Sequence, residues 1–156
     1  MFNWLKSLFK APQPAGPPQV VRAFRPADPT LAQDTIKVEP GGWLVEATAP
    51  QTVRLFEVPN PGLEQCLVTY RARLKTERLQ GRAFLEMWCR LPGRGEFFSK
   101  GLHQAVAGTT DWASCEIPFY LKRGQKPDLI KLNLAVEGTG KVWIQDVELL
   151  QTPLQG

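Results

Sequence analysis

His103 is the only histidine in the chain, so neither a histidine-based metal cluster nor a nucleophilic triad can be assembled around a second imidazole. No GxSxG elbow, HExxH pair, P-loop or glycine-rich dinucleotide fingerprint follows an expected strand. Glu86, Glu96 and Asp111 are carboxylates from which an acid–base pair could be drawn, but nothing in their spacing imposes one. The chain therefore reads as non-catalytic, with no cofactor and no metal. The residues that do suggest chemistry suggest binding. Phe84, Glu86, Trp88 and Arg90 alternate along one expected strand, and Arg71, Arg73, Lys131 and Asn133 occupy the matching positions of two others. Aromatic faces beside planar hydrogen-bonding groups suit the apolar side of a sugar ring and its hydroxyls. The same face also suits a protein partner, a second protomer or a segment of the chain itself.

Positioning these residues requires strands. Ile130, Leu132, Leu134 and Val136 share one parity while Lys131, Asn133 and Glu137 share the other, the period of a half-buried strand. Gly138-Thr139-Gly140 then reads as a turn, with Val142, Trp143, Ile144, Val147 and Leu149 returning the chain as a closing hairpin over 126–150. Cys66, Val68, Tyr70, Ala72 and Leu74 form one core face, and Leu85, Met87, Cys89 and Leu91 another. Strands are expected at 35–39, 43–48, 52–58, 64–76, 82–91, 103–107, 113–121, 128–137 and 141–150. The breaks fall at glycine- and proline-rich steps such as Pro59-Asn60-Pro61-Gly62, Gly81 and Pro92-Gly93-Arg94-Gly95. Many short strands without a long helix indicate an all-β antiparallel sandwich.

The 156 residues fit one domain, and 14 prolines with 13 glycines fit a turn-rich chain. The net charge of +4 is localised. Lys6, Lys10, Arg22 and Arg25 lie in the first 25 residues with no acidic neighbour, leaving the remainder balanced. Residues 71–94 are rich in Arg and Lys and carry Phe84 and Trp88, a pattern used for single-stranded nucleic acid. The balanced charge elsewhere and the lack of a recognised motif argue against that partner. Cys66, Cys89 and Cys115 cannot all pair within the chain and form no CxxC, so buried free thiols are expected. With no apolar secretory run at the N-terminus, this favours a cytoplasmic location.

Residues 1–10 place Phe2, Trp4, Leu5, Leu8 and Phe9 against Lys6 and Lys10, the pattern of a short amphipathic helix. It is too short to span a bilayer and marginal alone in water, so it is expected to dock on a membrane surface, a protein partner or the body of the domain. Residues 11–34 hold six prolines between Ala11 and Pro29 and are expected to form an extended linker. The sandwich is then expected over 35–151, followed by a tail over 152–156.

The block GTTDWASCEIPFYL (Gly108, Thr109, Trp112, then Pro118 and Phe119), followed by Gly140, Val142, Trp143, Ile144, Asp146, Val147 and Leu149, resembles the galactose-binding-like jelly rolls that include carbohydrate-binding modules. The resemblance covers about residues 36–151 and implies a jelly-roll sandwich. Gln145 stands where that family has the first acid of an Asp-Asp pair, which removes a hard oxygen ligand and puts the calcium found in many such domains in doubt. Together these readings describe a non-catalytic adaptor or structural protein, in which a galactose-binding-like sandwich is tethered to a membrane face or assembly by residues 1–10. The alternative is a cytoplasmic carbohydrate-binding module using the Trp88 face.

Overall fold

A computed structural model describes residues 12–155. The expectations for residues 1–10, an amphipathic helix and a docking role for Phe2, Trp4, Leu5, Lys6, Leu8, Phe9 and Lys10, lie outside the described residues. Eight antiparallel strands make up the rest: β1 (Gln19–Phe24), β2 (Ile36–Glu39), β3 (Gly42–Ala47), β4 (Gln51–Pro59), β5 (Cys66–Leu91), β6 (Gly95–Lys100), β7 (Val106–Tyr120) and β8 (Leu129–Pro153). A single 3-10 turn at Leu102–Gln104 separates β6 from β7. Among the described residues no helix is long and apolar enough to cross a membrane.

The architecture follows from β5 and β8, which run for 26 and 25 residues and pair with each other from Cys66↔Pro153 to Arg90↔Leu129. Their ladder is interrupted between Glu77 and Gln80, and there the two-stranded ribbon folds over. One limb of each strand contributes to a back layer, where β7 joins residues 66–76 and β3 and β1 sit end to end along β8. The other limb contributes to a front layer, where β6 joins residues 82–91 and β4 joins residues 129–137. Apolar side chains from both layers share one core, including Val45, Leu55, Val68, Leu74, Leu85, Met87, Ile130, Leu134, Ile144 and Leu149. The expected jelly-roll sandwich is therefore present.

Several local expectations are corrected. Gly138-Thr139-Gly140 does not reverse the chain, and Gly81 does not end a strand. Both lie where the ribbon folds and the two backbones nearly touch. A Cβ on Gly138 would overlap the carbonyl oxygen of Gln80, and one on Gly81 the carbonyl of Glu137. Glycine here permits close approach, and at Gly81 it also permits φ +102. As a result, 64–76 and 82–91 are limbs of one strand in opposite layers, not neighbours. Gly108, expected as a break, lies inside β7, and the strand expected at 103–107 is replaced at its start by the 3-10 turn. The proline-rich segment is not wholly a linker. Its proline-free stretch QVVRAF forms β1 on β8, and Pro14 bridges Leu154, which lies in the stretch expected as a tail.

Side chains from that segment complete the core. Phe24 stacks on Phe56 with ring centroids 4.0 Å apart, and Trp43 meets Phe56 edge-on at 5.4 Å. The layers are also joined by a polar contact, since the fully buried Tyr70 hydroxyl on β5 donates to the carbonyl oxygen of Asn133 on β8 at 3.2 Å. That carbonyl lies beside the irregularity between Arg54 and Phe56 of β4.

Two outcomes follow from this packing. Gly138→Ala is expected to destabilise the domain by about 3 kcal/mol or more. Gly16→Ala, whose Cβ would make only an ordinary 3.8 Å contact with Pro153, should stay within about 1 kcal/mol. Equal losses in urea unfolding would refute the close-approach account. Burial also pushes the Cys89 thiol from its ordinary 9.0 up to about 12, and moves Cys66 and Cys115 in the same direction. Above pH 9 the unfolded chain releases these protons while the folded chain keeps them. Stability should therefore fall between pH 9 and about 12, by roughly 1.4 kcal/mol per pH unit for each fully shifted thiol. Cys89→Ala should flatten that slope.

Candidate functional site

Phe84, Glu86, Trp88 and Arg90 point away from the core on the front layer, because their neighbours Leu85, Met87 and Cys89 point into it. Across the ladder they meet Ala135, Asn133, Lys131 and Leu129 of β8, and on the other side Trp88 meets Phe98 and Glu86 meets Lys100 of β6. Outward residues at the centre of a flat sheet would be open to solvent. Here Phe84 is 2% exposed, Ala135 3%, Asn133 6% and Glu86 7%. Longer side chains rise around them, Arg82 over Phe84 and Trp88 and Lys100 against Glu86, so these four residues form the floor of a trough between those side chains.

The floor is held by one carboxylate. Glu86 Oε1 accepts the Trp88 indole N–H at 2.8 Å and the Asn133 amide N–H at 3.0 Å. Its second oxygen lies 3.9 Å from the Lys100 ammonium. A buried carboxylate needs such donors to offset lost hydration, and removing any of them would leave it or its partner unsatisfied. The consequence is a Trp88 ring that cannot swing away, standing 5.2 Å from the Phe98 ring at 53°. Phe98 is 55% exposed, and the Lys100 ammonium lies 4.8 Å from its centroid.

Charged pairs line the rim. Lys131 bonds Glu96 at 2.8 Å beside the aromatic pair. Arg82 bonds Glu137 at one end of the trough, at 2.6 Å, and also lies over Phe84 at 5.5 Å. At the other end Arg90 grips both oxygens of Asp128 at 2.8 and 3.3 Å. Those hydrogen bonds raise the Arg90 guanidinium above its ordinary value and lower the Asp128 carboxyl below its own.

The structure thus brings together six of the eight residues singled out in the sequence. Arg71 and Arg73 are the exceptions, since they lie on the back limb of β5 and face the opposite side of the sandwich. Arg71 bonds Glu148 there at 3.2 Å, while Arg73 is 4.0 Å from Asp146 and 5.8 Å from the Trp112 ring. Phe98 and Lys100 are absent from the sequence reading, and Glu96 enters it only as a candidate carboxylate, because no strand is expected between the turn at Pro92–Gly95 and residue 103. The one signal available was six residues of strand, Gly95–Lys100, behind a Gly-Arg-Gly step. Among the candidate carboxylates, Glu86 holds the floor, Glu96 pairs with Lys131, and Asp111 accepts the Trp112 backbone N–H at 2.8 Å. Among the described residues no three His, Cys, Asp or Glu side chains are grouped as a metal site.

No protein-family model and no curated protein matches the sequence. Solved structures do match its shape. The CBM22-1 xylan-binding domain from Paenibacillus barcinonensis Xyn10C superposes with a TM-score of 0.55 at 11% identity, covering 89% of this chain and 98% of that one. A structure described as "CBM4 structure and function" gives 0.53 at 13% identity over 78% and 76% of the two chains. A mutant of a carbohydrate binding module family 29 gives 0.50 at 12% identity over 87% and 91%. These identities speak for fold alone, and the fold is that of the carbohydrate-binding modules, a jelly-roll β-sandwich.

Proposed function

We propose that this domain is a non-catalytic carbohydrate-binding module and that the front trough is its binding face. The observation that carries the reading is Trp88, held by the buried Glu86 at the centre of the front sheet and paired with the exposed Phe98. A fixed aromatic surface accepts the C–H face of a sugar ring with little loss of side-chain freedom on binding. Sugar hydroxyls then reach the rim, where Lys100, Lys131, Glu96, Arg82 and Glu137 offer donors and acceptors of both charges. A rim of balanced charge favours an uncharged glycan chain over a strongly anionic one. The likeness of fold to a xylan-binding domain supports the same reading. Trp88→Ala and Phe98→Ala should each weaken retention on soluble xylan or hydroxyethyl cellulose in affinity electrophoresis by about tenfold, equivalent to roughly 1.4 kcal/mol. Phe98→Ala should leave the unfolding midpoint nearly unchanged, since its ring is more than half exposed. Unaltered retention of both variants would remove the trough as the site.

A second role, attachment through residues 1–10, is favoured by the place where they join the body. Pro12 lines an apolar cavity of about 410 Å³ with Tyr120, Leu121 and Leu154, rimmed by Lys122 and Arg123. Phe2, Trp4, Leu5, Leu8 and Phe9 with Lys6 and Lys10 would extend this apolar and cationic surface against an anionic membrane face or an acidic partner. Removal of residues 1–11 should abolish co-sedimentation with phosphatidylserine vesicles while leaving thermal unfolding unchanged. Undiminished co-sedimentation would eliminate the membrane role.

A further inference from the structure

A cavity of about 430 Å³ lies on the other outer face and contains none of the trough residues. It runs between β7 and the back limb of β5, with Arg71, Arg73, Ser114, Glu116, Asp146 and Glu148 in its walls. A second cavity of about 250 Å³ shares Asp146 and Glu148 and continues past Phe24 and Arg25 to Gly41. The two adjoin at these carboxylates, and the first is the back-layer cleft considered below.

Asp146 owes its position in this cleft to a bulge. Arg71 pairs with Glu148 and Arg73 with Gln145, so Asp146 and Val147 together oppose the single residue Ala72. Val147 stays fully buried in the core, which leaves Asp146 as the turned residue, with φ +55 and a side chain 60% exposed. A non-glycine residue holds that conformation only where its surroundings impose it, and bulges of this kind re-aim side chains at sites. The bulge lets Ile144 and Val147, three residues apart, both face the core while Asp146 and Glu148 share the outer face.

The polar groups here are also less occupied than those of the trough. The Ser114 hydroxyl and the Glu116 carboxylate have no hydrogen bond or ion pair among the described residues, since Glu116 is engaged only through its backbone N–H, by Gln104 at 2.9 Å. Arg73 has only Asp146 at 4.0 Å and the face of Trp112. Two guanidiniums and a hydroxyl thus alternate with three carboxylates beside an indole. A polyanion would meet the carboxylates and a polycation the guanidiniums. A neutral ligand whose every polar group both donates and accepts satisfies both, and adjacent hydroxyls match the two-pronged geometry of a carboxylate or guanidinium.

We propose that this back-layer cleft is a second carbohydrate-binding site, for a neutral saccharide with vicinal hydroxyls, so that the domain holds two glycan chains on opposite faces. The ligand class rests on the carbohydrate reading of the trough; the existence and position of the second site do not. Titration calorimetry of the full chain with xylohexaose and with cellohexaose tests it. At least one of these neutral probes is expected to bind with a stoichiometry of two. Trp88→Ala should retain one site, and Arg73→Ala combined with Glu116→Ala should retain the other while weakening the back site by about tenfold or more. Both substituted residues are exposed, and Glu116→Ala alone, which removes no side-chain contact, serves as the variant certain to fold. Loss of all binding in Trp88→Ala overturns the second site and leaves the trough reading intact. Stoichiometry and affinity unchanged in both cleft variants do the same. Failure of both probes to bind the unaltered chain overturns both sites, and preference of the cleft for polygalacturonate over the neutral probes overturns its proposed ligand class.

Discussion

The near-contact of two backbones at Gly81 and Gly138 is the constraint on which the rest of the molecule depends. Because β5 and β8 remain paired on both sides of it, one ribbon supplies two adjacent strands to each layer, and the sandwich is a single sheet folded on itself. No loop has to bring the two layers together. The hydrophobic term then acts on limbs already in register, with Tyr70 reaching across to the carbonyl of Asn133. Any side chain at the crossing would hold the backbones apart and open the core beside it.

The same fold divides the polar chemistry between two surfaces. On the front, Glu86 and Asn133 are buried beneath their neighbours, and the Glu86 carboxylate joins them to Trp88. On the back, a bulge turns Asp146 outward, and Glu116, Ser114 and Arg73 nearby have capacity to spare. One face offers a rigid aromatic surface with a closed floor. The other offers an open set of donors and acceptors.

Much of this was legible in the sequence, and the failures have a common cause. Alternation along 64–76, 82–91 and 128–137 identified the core face of each stretch, and the block around Trp112 with the Val142–Leu149 pattern pointed to the jelly roll. Alternation states which side of a strand a residue occupies but not which layer the strand belongs to. Arg71 and Arg73 were accordingly grouped with Trp88, although the fold at Gly81 carries them to the opposite surface. The glycines misled for a related reason: turns and close backbone contacts both require them, and only the partner strand distinguishes the two. QVVRAF was overlooked because the prolines around it dominate the composition of that segment.

Ala15 donates its backbone N–H to Pro153, and Gln155 donates its own to Gln13, so the first and last described residues leave the sandwich side by side. This arrangement gives the domain the geometry of a plug. It can be set into a surface loop of another polypeptide, or suspended from one, without either sheet face being turned towards the point of attachment. Tension applied between the two ends would meet the Pro14–Leu154 bridge and the β1–β8 ladder one hydrogen bond at a time, so they would yield before the long ribbon bears any load.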